Sequence, residues 1–425
     1  MEVDPLGGWK LQLSPVDARM LRFVLQALFV FPPPPLNAAP YDPKKLRQSI
    51  DQLLEEDFPF FKDAQRVRDG ESGEFWLHSR HGAQVNQLIE VQELPELTRM
   101  DEVLETTPLH FIPARSETQV LSVKCCQLID GTLVIGVDAD HCVVDAEGLA
   151  LFMKRWSCHY YGVTTADSTS VCLSHGRSQL IPLSPYSSTM THPECACVCH
   201  ASTQSPHPMP PRLSTFTTSQ QRLHLSPTEL KNLKTFASLG DETSPISTLD
   251  CASALLTWLI TRSRGHSDAV QVSTAVNLRR RMQPPLPRNF TGNVVLPALS
   301  RHPAQDFQAS SSGPSASSLH SIARRVRESI ARFDDEYIRD TVSLLAAHPD
   351  PDALQPALRL PGGPDLLFSS WRGLGLRDVN FGSRPTYVGP PTLVNPIDGV
   401  VVFLESVDNR PGLDALVFLE HQAMH

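Results

Sequence analysis

The chain has 425 residues, of which 41% are hydrophobic, a normal composition for a globular protein and a length that favours two domains of about 200 residues each. Its net charge of −9, without a basic cluster, argues against nucleic acid as a partner, and no apolar run reaches the roughly 18–20 residues that cross a bilayer. Nine scattered cysteines, and no leader pattern at Met1–Lys10, predict a reduced cytoplasmic protein.

Helix and strand patterns alternate in the first half of the chain. Asp42–Leu54 has an apolar face at helical spacing. Val120–Leu128 and Thr132–Val137 are apolar, β-branched runs, and the dipeptide Asp130-Gly131 between them predicts a hairpin. A further helix is predicted from the apolar residues Leu149, Phe152, Met153 and Trp156, with Asp145 near its start as a cap or first-turn acid.

From about Tyr186 to Ser214 the sequence loses periodicity and is rich in Ser, Thr, Pro and His. Residues 186–214 are therefore predicted to link a domain over 1–185 to a domain over 215–425. The second domain is predicted to contain helices over Ser247–Arg264, Leu319–Ala347 and Leu413–Leu419, strands over Gln271–Asn277 and Val400–Leu404, and a polar surface loop over Pro303–Ser318. The alternation predicts an α/β fold, with a mixed sheet and flanking helices in each domain.

An H-x-x-x-D pattern, His141 to Asp145, follows the hairpin, with Gly148 close behind. The pattern alone is weak, because about one match is expected by chance in a chain of this composition. His302–Asp306 and His348–Asp352 match as well, but the first opens the polar loop and the second lies in a proline turn. Only His141 stands between a predicted strand and a predicted helix, where a rigid imidazole is expected.

Other chemistry is less well supported by the residues. Cys195, Cys197, Cys199 and His200 could bind zinc, but the one-residue spacing and the lack of a second cluster favour a linker without metal. Cys142 adjoins His141, yet neighbours on an extended strand face opposite ways, which argues against a Cys-His nucleophile. No G-x-S-x-G elbow occurs, so a serine hydrolase is not indicated.

Several motifs follow one another in the order of a known family. They are Leu13-Ser-Pro-Val-Asp17, Asp138 to Gly148, Ala275 to Asn293 with its R-x-R and P-P-L-P elements, Ser369-Ser-Trp371 and Asn380-Phe-Gly-Ser-Arg-Pro385. Over nearly its whole length the chain resembles the plant and fungal acyl-CoA acyltransferases called the BAHD family, and within it the fungal, trichothecene 3-O-acetyltransferase-like branch.

The resemblance implies two related domains like chloramphenicol acetyltransferase and a channel between them. It implies that His141 is the general base, that acyl-CoA, expected in its acetyl form, is a co-substrate, and that no cofactor is permanently bound. The other substrate would be a small-molecule alcohol of secondary metabolism, and the protein would act as a monomer. Ser369 and Trp371 are then candidates for oxyanion or substrate contact.

The resemblance also assigns structural carboxylates. Asp145 is expected to hold its loop through an arginine, the alternative being that it orients His141. The family's last motif begins with Asp, which pairs with an arginine of the R-x-R block, here Arg279. This chain has Asn380 there, before Phe381 and Gly382, so a neutral hydrogen bond to Arg279, or compensation by Asp378, is expected.

Three alternatives to O-acylation remain open at the level of sequence. The acceptor could be an amine, because the base chemistry is the same. The scaffold could have been turned to a non-acyl reaction such as cyclisation, or to binding alone. A condensation-like domain would take its acyl group from a carrier, but such domains have a second histidine where this chain has Asp140.

Overall fold

A computed structural model shows a mixed α/β fold, as the sequence predicts. It describes residues 2–3, 8–37, 39–79, 89–94, 111–115, 119–162, 173–182, 190–197, 218–240, 243, 245–266, 268–308, 313–350, 353–355, 358–391, 397–407 and 410–424. Within these ranges no helix is both long and apolar enough to cross a membrane.

The described strands and helices are numbered in chain order. The strands are β1 (Glu2–Val3), β2 (Trp9–Gln12), β3 (Val24–Phe31), β4 (Ala64–Arg68), β5 (Phe75–Ser79), β6 (Ile89–Leu94), β7 (Leu121–Leu128), β8 (Leu133–Asp140), β9 (Ala196–Cys197), β10 (Thr218–Leu225), β11 (Val270–Asn277), β12 (Val295–His302), β13 (Leu354–Gln355), β14 (Leu366–Ser370), β15 (Tyr387–Gly389), β16 (Val400–Leu404) and β17 (Leu413–Glu420). The helices are α1 (Pro15–Ala18), α2 (Pro43–Glu56), α3 (Pro59–Asp63), α4 (Ala146–Tyr160), α5 (Pro227–Ala237), α6 (Thr248–Arg264), α7 (Ala316–Ala331), α8 (Asp335–Ala347) and α9 (His421–Met424).

Two large sheets form the centre of the protein. One has five strands in the order β15-β3-β8-β7-β6, and the other has six in the order β10-β17-β16-β14-β11-β12. A four-stranded sheet, β1-β2-β5-β4, and the short pair β13-β9 complete the described strands. The edge strand β15 comes from the segment assigned to the second domain, yet it pairs antiparallel with β3.

The two large sheets pack against each other, and helices cover their outer faces. Alternate residues of β3 show this: Phe29 and Phe31 belong to the core shared with α2 and α4, whereas Leu28 and Val30 join a second core with β16 and β17. We call the first the N-terminal core and the second the inter-sheet core. Helices α6 and α7 cover the far side of the six-stranded sheet.

Three predictions for the second half were wrong in detail. Leu413–Leu419 is part of strand β17 and not a helix. The strand lies between β10 and β16 with both faces buried, so its sequence lacks the alternation of apolar and polar residues that would distinguish a strand from a helix. The helix over Leu319–Ala347 is two helices, because Asp334 caps a new helix at Tyr337 N. The loop Pro303–Ser318 contains buried Asp306 and Phe307.

Part of the predicted linker is packed into the protein. Glu194 is 2% exposed and its carboxylate accepts a hydrogen bond from the Tyr337 hydroxyl at 2.8 Å. Arg19 donates to the Glu194 carbonyl and, at 3.6 Å, to Cys195 Sγ. Cys199 and His200 of the considered zinc cluster lie outside the described residues, within which no group of three potential ligands could hold a metal.

Phe381 carries the last motif of the chain into the N-terminal core. Its ring is 2% exposed and meets the rings of Phe31, Trp156 and Tyr160 edge-on, with centroids 5.4, 5.1 and 5.4 Å away. Edge-to-face aromatic contacts of this kind add to the stabilisation from burial. Segment 380–385 therefore attaches to α4, the helix that follows the candidate site, through an aromatic side chain.

We predict that Phe381→Ala lowers the free energy of unfolding by about 3–5 kcal/mol, because it leaves a cavity among aromatic rings. Denaturant unfolding measures the change. Phe236→Ala is the matched control, since Phe236 is 47% exposed and its loss should cost only about 0.5 kcal/mol. Equal effects of the two substitutions would contradict the proposed packing role.

His192 predicts a pH dependence of stability. Its Nε2 lies 2.6 Å from an Asp340 oxygen, and its Nδ1 lies 3.5 Å from Glu194 and 3.1 Å from Thr341 Oγ1. Burial alone would lower the pKa of His192, but the two carboxylates raise it above its usual value. The protonated ring thus stabilises the fold below about pH 6.5, and that contribution disappears as the pH rises through the raised pKa.

His192→Gln should accordingly lower the melting temperature more at pH 6 than at pH 9. Thermal unfolding of both proteins at the two pH values gives the comparison. Asp340→Asn, which removes one carboxylate, should reduce the difference. An identical loss at both pH values would mean that His192 is uncharged in the folded protein.

Candidate active site

His141 lies in a tight turn between β8 and α4. Its backbone N–H donates to the Phe23 carbonyl at 3.1 Å, and the N–H of Val143 donates to the Asp140 carbonyl at 3.0 Å. Asp145 is the N-cap of α4, as predicted, and accepts from Gly148 N at 2.9 Å. Backbone hydrogen bonds therefore hold the turn at both its strand end and its helix end.

The imidazole of His141 is partly exposed, and Nδ1 is its buried nitrogen. Among the described residues Nδ1 has no hydrogen-bond partner outside its own residue. Burial lowers the pKa of His141, and its own carbonyl together with the charges of Asp145 and Asp17 offsets only part of that effect. A lowered pKa keeps the ring neutral at physiological pH, which is the form that accepts a proton at Nε2.

Asp145 and Arg279 form a buried bidentate ion pair. The guanidinium nitrogens lie 2.7 and 2.8 Å from the two carboxylate oxygens, and both residues are at most 3% exposed. Burial would raise the pKa of Asp145, but Arg279 and two backbone donors hold it below its usual range. The expected contact between Asp145 and an arginine is thus present.

The same pair organises a second loop, residues 290–294. Arg279 donates to the carbonyls of Phe290 and Gly292, and Val294 N donates to Asp145 at 3.1 Å. Gly148 lies against this loop so closely that a Cβ there would stand 2.3 Å from the Thr291 carbonyl oxygen. Glycine at 148 is required by this close approach between α4 and the loop.

The predicted contact between Arg279 and Asn380 was wrong. Asn380 is exposed, and its Oδ1 accepts from Gly382 N at 2.9 Å. Asp378 does not compensate, because its carboxylate pairs with Lys154 at 3.0 Å on the surface. The reason is that Asp145 already accepts hydrogen bonds from both Nη1 and Nη2 of Arg279. The last motif is instead attached to the protein by the buried ring of Phe381.

Ser369 lies on the face of β14 that is turned towards the five-stranded sheet, and Trp371 directly follows the strand. Trp371 is half-buried and packs against both the N-terminal core and the inter-sheet core. Ser369 pairs in register with Val402 of the inter-sheet core, and among the described residues its hydroxyl makes no hydrogen bond. On the neighbouring strand β11, Asn277 Nδ2 donates to Glu147 in the first turn of α4 at 2.6 Å. The carboxyl ends of β11 and β14 therefore approach the start of α4.

The two other H-x-x-x-D matches differ from His141. His302 is the last residue of β12, not a loop residue, and is fully buried beside Ser300 Oγ at 2.9 Å. Burial lowers its pKa to about 3. His348 is half-buried and faces the Leu344 carbonyl, and Asp352 lies outside the described residues. Cys142, beside His141, is fully buried, and burial raises the pKa of its thiol.

The sequence predicted no role for two buried side chains near His141. Arg177 and Asp17 are both fully buried, with 3.3 Å between Nε and Oδ2, and Arg177 also donates to the Val143 carbonyl. No motif marks Arg177. For Asp17 a signal did exist, because Ser14-x-x-Asp17 is a capping-box pattern and the box is formed in α1.

A cavity of about 470 Å³ lies beside this region, between α1, β5 and the end of α8. Its lining includes Ser14, Arg19 and His348, but not His141. It is therefore separate from the turn that carries the imidazole.

Comparison with known proteins identifies the family of the chain. The chain matches the Transferase family over residues 4–425. It is 23% identical over 409 residues to hydroxycinnamoyl-CoA:piscidic acid hydroxycinnamoyltransferase of Actaea racemosa, covering 90% of this chain and 86% of the relative. It is 27% identical over 315 residues to tryptamine hydroxycinnamoyltransferase 2 of Oryza sativa subsp. japonica, covering 72% and 67%.

Among solved structures, F. graminearum TRI101 complexed with coenzyme A and deoxynivalenol superimposes with a TM-score of 0.76 at 18% identity, covering 98% of this chain and 96% of that one. That likeness shows the fold. Since the family match spans nearly the whole chain, the protein belongs to the Transferase family and is an acyltransferase of the BAHD type.

Proposed function

We propose that the protein transfers an acyl group from acyl-CoA to a hydroxyl of a small-molecule acceptor, with His141 as the general base. The observation that carries the proposal is His141 itself: its backbone lies in a hydrogen-bonded turn beside the Asp145–Arg279 ion pair, its imidazole is partly exposed with Nδ1 as the buried nitrogen, and its pKa is lowered. A neutral histidine in such a position can accept a proton at working pH.

In this mechanism Nε2 of His141 takes the hydroxyl proton as the acceptor oxygen attacks the thioester carbonyl. The tetrahedral intermediate then collapses, and the CoA thiolate leaves with the proton from the imidazolium. Acyl transfer is direct, so no acyl-enzyme forms. The buried Cys142 thiol, whose pKa is raised, supports this by being unsuited to nucleophilic attack.

The oxyanion of the intermediate needs a hydrogen-bond donor. We assign that role to Ser369, with Trp371 as a neighbouring substrate contact. In support, the Ser369 hydroxyl has no partner among the described residues, and its strand face turns towards the half of the protein that carries His141.

For the substrates we propose acetyl-CoA and an alcohol of secondary metabolism. The resemblance to the trichothecene acetyltransferase branch and the fold likeness to TRI101 support this choice. An amine acceptor is the second candidate, because one relative is named a tryptamine hydroxycinnamoyltransferase and another an agmatine hydroxycinnamoyltransferase.

The test is turnover with acetyl-CoA and hydroxycinnamoyl-CoA, each offered with alcohols and with tryptamine or agmatine. Ester formation from acetyl-CoA would support the first proposal, whereas amide formation would favour the second. If no CoA thioester binds or reacts, the proposal of an acyl-CoA reaction is wrong.

His141→Ala is expected to lower turnover by roughly 10²–10⁴-fold, because general base catalysis is lost. Steady-state kinetics on the folded variant measures the loss. His348→Ala is the control: that side chain is also half-buried in an H-x-x-x-D pattern, and its loss should leave turnover nearly unchanged. His302→Ala is unsuitable as a control, since His302 is fully buried and its removal leaves a cavity. Near-normal turnover in His141→Ala would refute the assignment.

Asp145→Ala tests the proposed structural role of the ion pair. An unpaired Arg279 should lower the free energy of unfolding by about 3–5 kcal/mol, with turnover falling because His141 is displaced. Thermal unfolding and kinetics are measured together. A variant that melts normally yet is inactive would instead make Asp145 a catalytic partner of His141.

A further inference from the structure

Arg177 and Asp17 form a second ion pair beside the His141 turn. Both side chains are 0% exposed, and Arg177 Nε lies 3.3 Å from Asp17 Oδ2. Their positions in the chain are 160 residues apart. A fully buried pair of this kind persists only where its geometry satisfies both charges.

The guanidinium of Arg177 has three acceptors, and one belongs to the turn itself. Nη2 donates to the Val143 carbonyl at 3.1 Å, and Nη1 donates to the His175 carbonyl. Val143 lies two residues after His141 and two before Asp145. The carbonyl of the central residue of the H-x-x-x-D turn is therefore held by Arg177, whose planar guanidinium presents Nε to Asp17 and Nη2 to Val143.

Asp17 connects this contact to the loop that the first ion pair holds. One of its oxygens accepts from Ser14 N and Ser14 Oγ at 2.8 Å, and the other accepts from Asn293 N at 3.1 Å. Asn293 Nδ2 returns a hydrogen bond to the Val16 carbonyl at 3.1 Å. The next residue of that loop, Val294, donates to Asp145.

We infer that Asp17 and Arg177 are positioning residues for His141, acting through the Val143 peptide. The inference rests on the proposed function and adds to it the residues that orient the imidazole of His141. The Phe23 carbonyl holds the start of the turn and Asp145–Arg279 holds its end, but neither contacts the middle. Val143 N–H is held by the Asp140 carbonyl, and the Val143 carbonyl is held by Arg177. Without Arg177 that carbonyl loses its donor, the Val143 peptide is held on one side only, and the imidazole loses its alignment with the acceptor hydroxyl.

The test compares Arg177→Gln with Arg264→Gln. Arg264 and Asp398 form another ion pair whose side chains are 0% exposed, at the opposite end of β16 from the site. Both substitutions leave a buried aspartate without its arginine, so both should lower the melting temperature. Assayed well below melting, Arg177→Gln should lower kcat by about 10–100-fold with the KM for acetyl-CoA changed less than about two-fold. Arg264→Gln should leave kcat unchanged.

A lysine variant separates charge from alignment. Arg177→Lys should recover most of the melting temperature that Arg177→Gln loses, because an ammonium can pair with Asp17. It should not recover kcat, because a single Nζ cannot occupy both positions from which Nε and Nη2 hold Asp17 and the Val143 carbonyl. If Arg177→Gln does not fold, Asp17→Asn/Arg177→Gln removes both charges at once and takes its place in the same measurements.

Hydrogen exchange of the turn provides a readout that does not depend on activity. The amides of His141 and Val143 are both hydrogen-bonded, so exchange in a peptide covering 141–145 should be faster in Arg177→Gln and unaltered in Arg264→Gln. Unchanged exchange and unchanged kcat would overturn the inference while leaving His141 as the base. If the native protein fails with every acyl-CoA, the proposed function is wrong, and the exchange comparison alone decides whether Arg177 holds the turn.

Discussion

The buried ion pair between Asp145 and Arg279 is the contact on which the site depends. Its two hydrogen bonds of 2.7 and 2.8 Å join the segment that follows β8 of one large sheet to the segment that follows β11 of the other. Charges this deeply buried are tolerated only when every donor and acceptor is used. The pair satisfies that requirement by recruiting backbone groups of Gly148, Phe290, Gly292 and Val294, and it thereby fixes two loops at once.

The electrostatics of His141 follow from the same burial. Taking an imidazole out of water disfavours its charged form, whereas the nearby carboxylates of Asp145 and Asp17 favour it. Each carboxylate is itself paired with an arginine, so its attraction for a proton on His141 is weakened and burial decides the direction of the pKa shift. The structural ion pairs therefore serve the proposed chemistry: they keep the base both fixed and neutral.

The last motif shows how a structural contact can survive the loss of a charged residue. Its first position is Asn380, which is exposed and, within the described part of the chain, hydrogen-bonded only in its own turn, while the next residue, Phe381, fills a space between β3 and α4. Burial of an aromatic ring needs no charged partner, so this attachment is independent of the acid that stands there in the family. The Asn at 380 thus bears on the local turn rather than on Arg279.

Local patterns were sufficient for the hairpin β7–β8, for the cap of α4 at Asp145 and for the place of His141 between a strand and a helix, because periodicity, turn residues and capping act between residues close in sequence. Features that depend on contacts between distant parts of the chain could not be predicted from the sequence. Strand β17 has the apolar run that any buried element shows, and only its place between β10 and β16 makes it a strand. The pairing of Arg279 with Asp145 and the pairing of Arg177 with Asp17 each join residues more than a hundred positions apart. The contact of Arg177 with Val143 joins residues more than thirty positions apart. The packing of the two sheets brings those charges together. Since the free-energy cost of burying a charge depends on its neighbours in space, the tertiary structure decides which of these charges are paired.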